Sequence, residues 1–301
     1  MEDWILLAMA PIFLAFIGWE VWYWKGRRPV YSLKDTLSNA SLALMHQASD
    51  AVAWLLVLGV YWWIYQYRLF DLQTTVWTIA ALFLAQDFFY YFFHRASHRI
   101  RWMWASHVTH HSSERLNLST AFRQSLTYPI SGMWVFWLPL AWIGFSPKHI
   151  VAVVAINLGF QFFVHTEAVG KLGWLEYVFN TPSHHRVHHA RNPKYIDRNY
   201  AGVLIIWDKL FGSFVAEDPE VPCEYGLVRP IHTHNPLKLT FHEWIAMFRD
   251  VARPQAFGSR LKQLFGPPER ARSEVPAVDE TRVAQTSATG QLAQAALDER
   301  A

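Results

Sequence analysis

Nine histidines stand in four short runs of this sequence: "HRASH" (His94, His98), "HVTHH" (His107, His110, His111), "VHTE" (His165) and "HRVHH" (His185, His188, His189). Spacings of three and four put imidazoles on one face of a helix, where two of them can share a metal ion. At this histidine content HxxHH would arise by chance roughly 0.04 times per chain, and it occurs twice. Neutral imidazole is the commonest transition-metal ligand. Nine nitrogens exceed what one ion takes and suit two ions with four or five each and a position left open. A structural zinc site closes with four ligands.

A single histidine is more simply an ordinary interfacial residue. Nine at ligand spacing are not, provided the chain brings them together. Of 301 residues, 52% are hydrophobic and 17% charged, with 16 tryptophans. Soluble domains carry about 25% charged residues, so membrane burial is the first expectation. Residues 4–24 are apolar except for Glu20 and match the ~20 residues that cross a bilayer. Glu2 and Asp3 precede that stretch and Lys25, Arg27 and Arg28 follow it. This order is the reverse of a signal peptide and predicts an uncleaved span ending in the cytoplasm.

Further apolar stretches cover about 40–65, 75–93, 128–145 and 149–166. Five passes starting outside end inside. Arg95, Arg99, Arg101, Arg115 and Arg123 then fall on the inner side, against Arg68 and Lys148 on the outer. Pro139 interrupts the fourth stretch, so the last two read alternatively as a re-entrant hairpin. Either way, about 20 residues from Thr75 at 1.5 Å each bring His94 out on the cytoplasmic side, and the same measure from Ser146 brings out His165. The predicted fold is an all-α integral membrane protein. It has four to five transmembrane or re-entrant helices and a cytoplasmic helical cap holding a histidine-rich di-metal site. Its parts are N-terminal membrane helices (1–75), a catalytic domain (76–215), a cap extension (216–266) and a disordered tail (267–301) poor in large apolar residues. A multi-pass membrane location follows, the inner membrane if the cell is bacterial.

The composition excludes other classes. One cysteine, Cys223, rules out an internal disulfide framework and a cysteine zinc site. A net charge of +3 without a basic tract gives no nucleic-acid footprint. A transporter would place ligands along a path across the membrane, and a two-histidine haem site would lie inside the bilayer on facing helices. A zinc hydrolase is disfavoured by the ligand count.

The stretches "QDFFYYFFHRASH", "HVTHHSSERLNLSTAFRQS", "VHTE" and "NTPSHHRVHHARNPKYIDRNYAGVLIIWDKLFGSF" cover roughly residues 85–215. Together they resemble the fatty acid hydroxylase and sterol desaturase superfamily of membrane-bound, histidine-rich di-iron oxygenases. The last stretch looks most like its alkylglycerol monooxygenase branch. The resemblance implies two Fe ions, O2 as co-substrate, a membrane lipid substrate and the nine histidines as ligands. The reaction it implies is hydroxylation of a lipid alkyl chain; desaturation by the same chemistry, or a non-catalytic membrane metal-binding protein, are the alternatives. No Rossmann glycine fingerprint or haem domain is evident, so a separate electron-donor protein or reductant is expected. Members of that branch continue into further membrane spans where this sequence turns polar, which makes their pterin dependence doubtful here. Fatty acid 2-hydroxylases carry a histidine where Gln161 stands, and His184 is a possible extra ligand in its place.

Asp87, seven residues before His94, is expected to orient a ligand imidazole through its other ring nitrogen, or else to be a protonated acid hydrogen-bonded between helices. Glu167 is a candidate catalytic residue, as ligand, proton donor or merely an interfacial charge. Glu114, Asn117, Asn199 and Asp208 fall on family motif positions and are expected to support the ligands from behind. His46 and Asp50 line a substrate passage or serve core hydrogen bonding.

Overall fold

The computed structural model describes residues 3–268. The expected tail from 269 onward lies outside the described residues. Among them every regular element is helical, and only two isolated β-bridges occur, Phe179–Leu204 and Ala190–Tyr225.

Three long helices come first: α1 (Asp3–Trp24), α2 (Leu33–Gln66) and α3 (Val76–Arg99). Thr75 starts α3 through a reciprocal capping box with Thr78, which satisfies two amide donors at the helix end. By length and hydropathy α2 and α3 are able to cross a membrane, whereas the apolar helical stretches Ala8–Trp24 and Met133–Ile143 are shorter. Leu14, Leu44, Leu55, Leu56 and Trp77 are all more than half exposed. Such a continuous apolar exterior needs lipid or a partner to cover it.

Ile100 is extended and breaks the chain between α3 and α4 (Arg101–His111), so α4 folds back on α3. A 3-10 turn at Leu118–Phe122 follows, capped by Asn117. The stretch 128–145 does not form one helix. It divides into α5 (Tyr128–Ser131), a 3-10 turn at Met133–Trp137 and α6 (Leu138–Ile143), because Gly132 is left-handed (φ 85°) and Pro139 starts a new turn. Gly144 (φ 131°) ends α6, and a Cβ there would stand 2.1 Å from the Phe70 carbonyl oxygen. α7 (Pro147–Phe162) has Ser146 as N-cap and Pro147 in its first turn, although the Ser146 side chain makes no capping bond. At 16 residues it is about 24 Å long.

Leu69 and Phe70 amides bond the Trp142 and Ile143 carbonyls, tying the α2–α3 loop to the α6–α7 turn. Tyr61, Leu82, Phe93, Leu140 and Ile150 form the main core between α2, α3, α6 and α7. At the other end lie α8 (Pro182–His189), α9 (Ile206–Leu210), α10 (Pro236–Ala252) and α11 (Phe257–Phe265). α10 packs on α4 through Trp244 and Met247 against Ala105.

Candidate metal centre

α3, α4, α8 and the turn after α7 bring the nine histidines into two buried groups. His94, His98, His107, His111 and His188 form one, and His110, His165, His185 and His189 the other; within each, ligand atoms lie within 4.8 Å of one another. Each HxxHH helix serves both groups in the same way. The first and last histidines, four apart on one stripe, enter one group, and the middle one crosses to the other. Thus α4 gives His107 and His111 to the first group and His110 to the second. α8 gives His185 and His189 to the second and His188 to the first.

Hydrogen bonds at Nδ1 decide which nitrogen each ring offers. His94 faces the Tyr200 carbonyl (2.8 Å), His110 that of Arg123 (3.2 Å), His165 that of Gln161 (2.7 Å) and His188 that of Arg198 (2.9 Å). A carbonyl only accepts, so Nδ1 carries the proton in these four rings and Nε2 is left a bare lone pair. Yet His110 Nε2 and His165 Nε2 stand 3.1 Å apart, and neither can donate to the other. His98 Nε2 and His188 Nε2 are buried with no partner. Lone pairs converging without protons between them repel, and a bound cation removes that repulsion. The donor set therefore fits metal ions of the imidazole-binding kind.

Burial, reinforced by neighbouring imidazoles, pushes the pKa of His107, His110, His111, His185, His188 and His189 well below the ordinary value. Burial, partly offset by the hydrogen bond to the Gln161 carbonyl, moves His165 down to about 4. Near neutral pH these rings are uncharged, the form that ligates.

Other partners hold the rings from behind. Asp197, with a left-handed backbone (φ 59°), places its carboxylate 3.4 Å from His98 Nδ1. The Tyr128 hydroxyl lies 2.6 Å from His107 Nδ1. For His107 to offer Nε2 to a metal, its Nδ1–H must donate to that oxygen. Tyr128→Phe is expected to weaken metal binding in the five-histidine group by about 10–100-fold, measured by competition with a chelator. Arg123 is fully buried and bonds Asp35, Asn39, the Thr109 carbonyl and Ser112, fixing the loop that presents its own carbonyl to His110.

Asp87 meets no imidazole and is hydrogen-bonded to a neighbouring helix and loop instead. Its carboxylate accepts from the amides of Val203 and Leu204, from Trp207 Nε1 and from Asn157 Nδ2, and none of these is an imidazole. Asp208 accepts from the Tyr200 and Ala201 amides and Ser213. The two acids clamp the segment whose Tyr200 carbonyl orients His94. Gly202 lets that segment approach, since a Cβ there would meet Asn157, Tyr90 and Asp87 at 2.8–2.9 Å. Asn199 is left-handed (φ 55°) and its side chain bonds the His184 and Val215 carbonyls and the Val215 amide.

Three expected residues lie apart from both groups. His184 is buried against Phe214, with Glu176 3.9 Å away, so it does not take the place left by Gln161. Glu167 pairs with Arg28 at 3.0 Å. Glu114 is more than half exposed and faces His232. Gln161 itself accepts from Tyr90 and donates to Asn157. Sequence reasoning missed Asp197, Tyr128 and Arg123. Asp197 lies inside the quoted motif "NPKYIDRNYAG", but nothing in its spacing distinguishes it from Asp208.

A cavity of 330 Å³ runs between α1, α2, α3 and α7 and ends on His94, His107, His110, His165 and His185. Phe13, Leu14, Phe93, Trp137, Leu158 and Phe162 give it an apolar wall. Leu14 and Leu158, at its rim, are exposed on the apolar exterior, so its mouth faces where lipid would lie. His46 also lines it; its Nδ1 bonds the Ser125 carbonyl (3.1 Å) and its Nε2 is 3.4 Å from Asp50.

Residues 79–213 match the fatty acid hydroxylase family. Alkylglycerol monooxygenase of Homo sapiens is 42% identical over 296 residues, covering 94% of this chain and 65% of its own. The Xenopus tropicalis protein of the same name is 41% identical over 82% of this chain and 54% of its own. That of Danio rerio is 38% identical over 86% and 58%. The chain thus spans less than two thirds of the length of these relatives. No solved structure matches. All nine histidines fall within the stretch, residues 79–213, that matches the fatty acid hydroxylase family.

Proposed function

We propose that the chain is a membrane-bound, O2-dependent lipid hydroxylase working at two iron ions. One ion is held by His94, His98, His107, His111 and His188, the other by His110, His165, His185 and His189. The observation that carries this reading is the set of lone pairs aimed at one another, those of His110 and His165 at the inner end of an apolar cavity and those of His98 and His188 buried beside them. When bound, the irons supply the redox chemistry that reduces O2 and places one of its oxygen atoms on carbon. The protein's part is to hold and to exclude. Backbone carbonyls and Asp197 lock the ring tautomers, neutral ligands leave the metal charge for oxygen to neutralise, and the apolar wall takes an alkyl chain. The relatives' name makes an alkylglycerol the first substrate to try, with electrons from a separate reductant.

In this reading residues 76–215 are the catalytic domain, with helices before it and an extension after it. α2 and α3 span the bilayer, α1 and α6–α7 complete the embedded part, and the histidine end faces the cytoplasm. The arginine bias supports that side, and the hydrogen-bonded α2–α3 loop and α6–α7 turn share one end of the bundle.

The test is incubation of the iron-loaded full chain with an alkylglycerol, a reductant and 18O2, read by mass spectrometry. Label in the lipid product is expected. Loss of two hydrogens without label would assign desaturation, and an unchanged lipid despite bound iron would favour a metal-binding protein.

A further inference from the structure

The nine histidines are approached from two sides. The apolar cavity touches five of them: His94, His107, His110, His165 and His185. A separate cleft of 60 Å³ touches the remaining four, His98, His111, His188 and His189. No histidine is shared, and each metal group meets both openings. The two differ in chemistry. The second cleft sets the charged Arg191 and Asp197 beside Trp104, Ile196 and the Gly226–Val228 segment, and it has room for a few waters rather than an alkyl chain. Val228 at its rim is 53% exposed, on the side of the cap where α8 ends. Asp197 links this wall to the centre, since its carboxylate lies against His98 Nδ1.

We propose that this cleft is the port through which a small, water-borne reductant and protons reach the centre, while the lipid occupies the apolar cavity. The inference rests on the reading of the histidines as a redox metal centre. Hydroxylation of one C–H bond puts one atom of O2 into the product and releases the other as water. That balance takes two electrons and two protons. An alkyl chain filling the first cavity would occupy that approach to the histidines, and the cleft is the second opening that reaches them. Separate doors also let the centre be reduced while lipid is in place.

The test compares iron-loaded full chains carrying Val228→Trp, which fills the cleft mouth, or Ala43→Trp, which fills the apolar cavity. Iron content is measured first, then the anaerobic rate of reduction by dithionite and the binding of a fluorescent alkyl lipid. Val228→Trp is expected to slow reduction by about tenfold with lipid binding unchanged. Ala43→Trp is expected to abolish lipid binding and leave the reduction rate alone. Val228→Cys in a Cys223→Ser background, measured before and after attachment of a bulky maleimide, guards against a misfolded variant. An unchanged reduction rate after blocking residue 228, or reduction slowed only by Ala43→Trp, overturns the port. A wild-type chain that retains no iron overturns the metal reading itself and the port with it, and the iron measurement tells the two failures apart.

Discussion

His165→Ala is expected to empty the four-histidine group and to lower lipid oxidation by more than about 100-fold, since even losing a residue behind a ligand costs 10–100-fold. His165 supplies the second group from outside the two HxxHH helices. Its Nε2 lies 3.1 Å from that of His110 and 2.9 Å from that of His185, so its removal leaves ligands from α4 and α8 alone. His184→Ala is the matched control. It removes a buried histidine one residue from His185 whose ring faces Phe214, and it should leave metal content intact. Elemental analysis of both variants beside the wild type, together with product formation, checks the pair. Equal metal loss in both would mean that the ligand assignment is wrong.

The largest stability loss is expected from Arg123→Ala. Its guanidinium is buried among Asp35, Asn39, Ser112 and the Thr109 carbonyl, joining α2, the end of α4 and the loop behind His110. Removing one partner of a buried ion pair leaves the other charge uncompensated, which costs about 3–5 kcal/mol. Thermal unfolding in detergent should show that loss, and the four-histidine group should lose metal because the Arg123 carbonyl that orients His110 is no longer fixed. Arg123→Met combined with Asp35→Leu removes both charges and should recover part of the stability but not the metal. Recovery of neither would point to packing rather than charge as the main role of Arg123.

Eight of the nine histidines that come together were legible because their signal is local; His165 stands alone. Repeats of i, i+3, i+4 on two helices, and a pair four apart at the end of a third, need only helical geometry to converge. The division between two groups was not legible, because it depends on how α4 and α8 face each other across the centre. The partners at Nδ1 were hidden for a different reason. Four are backbone carbonyls, for which any residue type serves, so Tyr200, Gln161, Arg123 and Arg198 carry no mark of the role. Asp87 shows how a sound rule misleads: a buried acid on the right helix face does stabilise the site, but by holding the Val203–Leu204 amides rather than a ring. The break at Pro139 in the 128–145 stretch was legible, but hydropathy gave no sign of the left-handed turn at Gly132.

The central claim is that the two imidazole groups each hold a redox-active ion. Its most direct test is the metal content and coordination of the full chain, purified without chelators and loaded with iron under anaerobic conditions. Two irons per chain in an X-ray absorption spectrum dominated by imidazole nitrogen is the expected result. A chain that binds no iron, or one whose spectrum requires carboxylate or sulfur ligands, would contradict it.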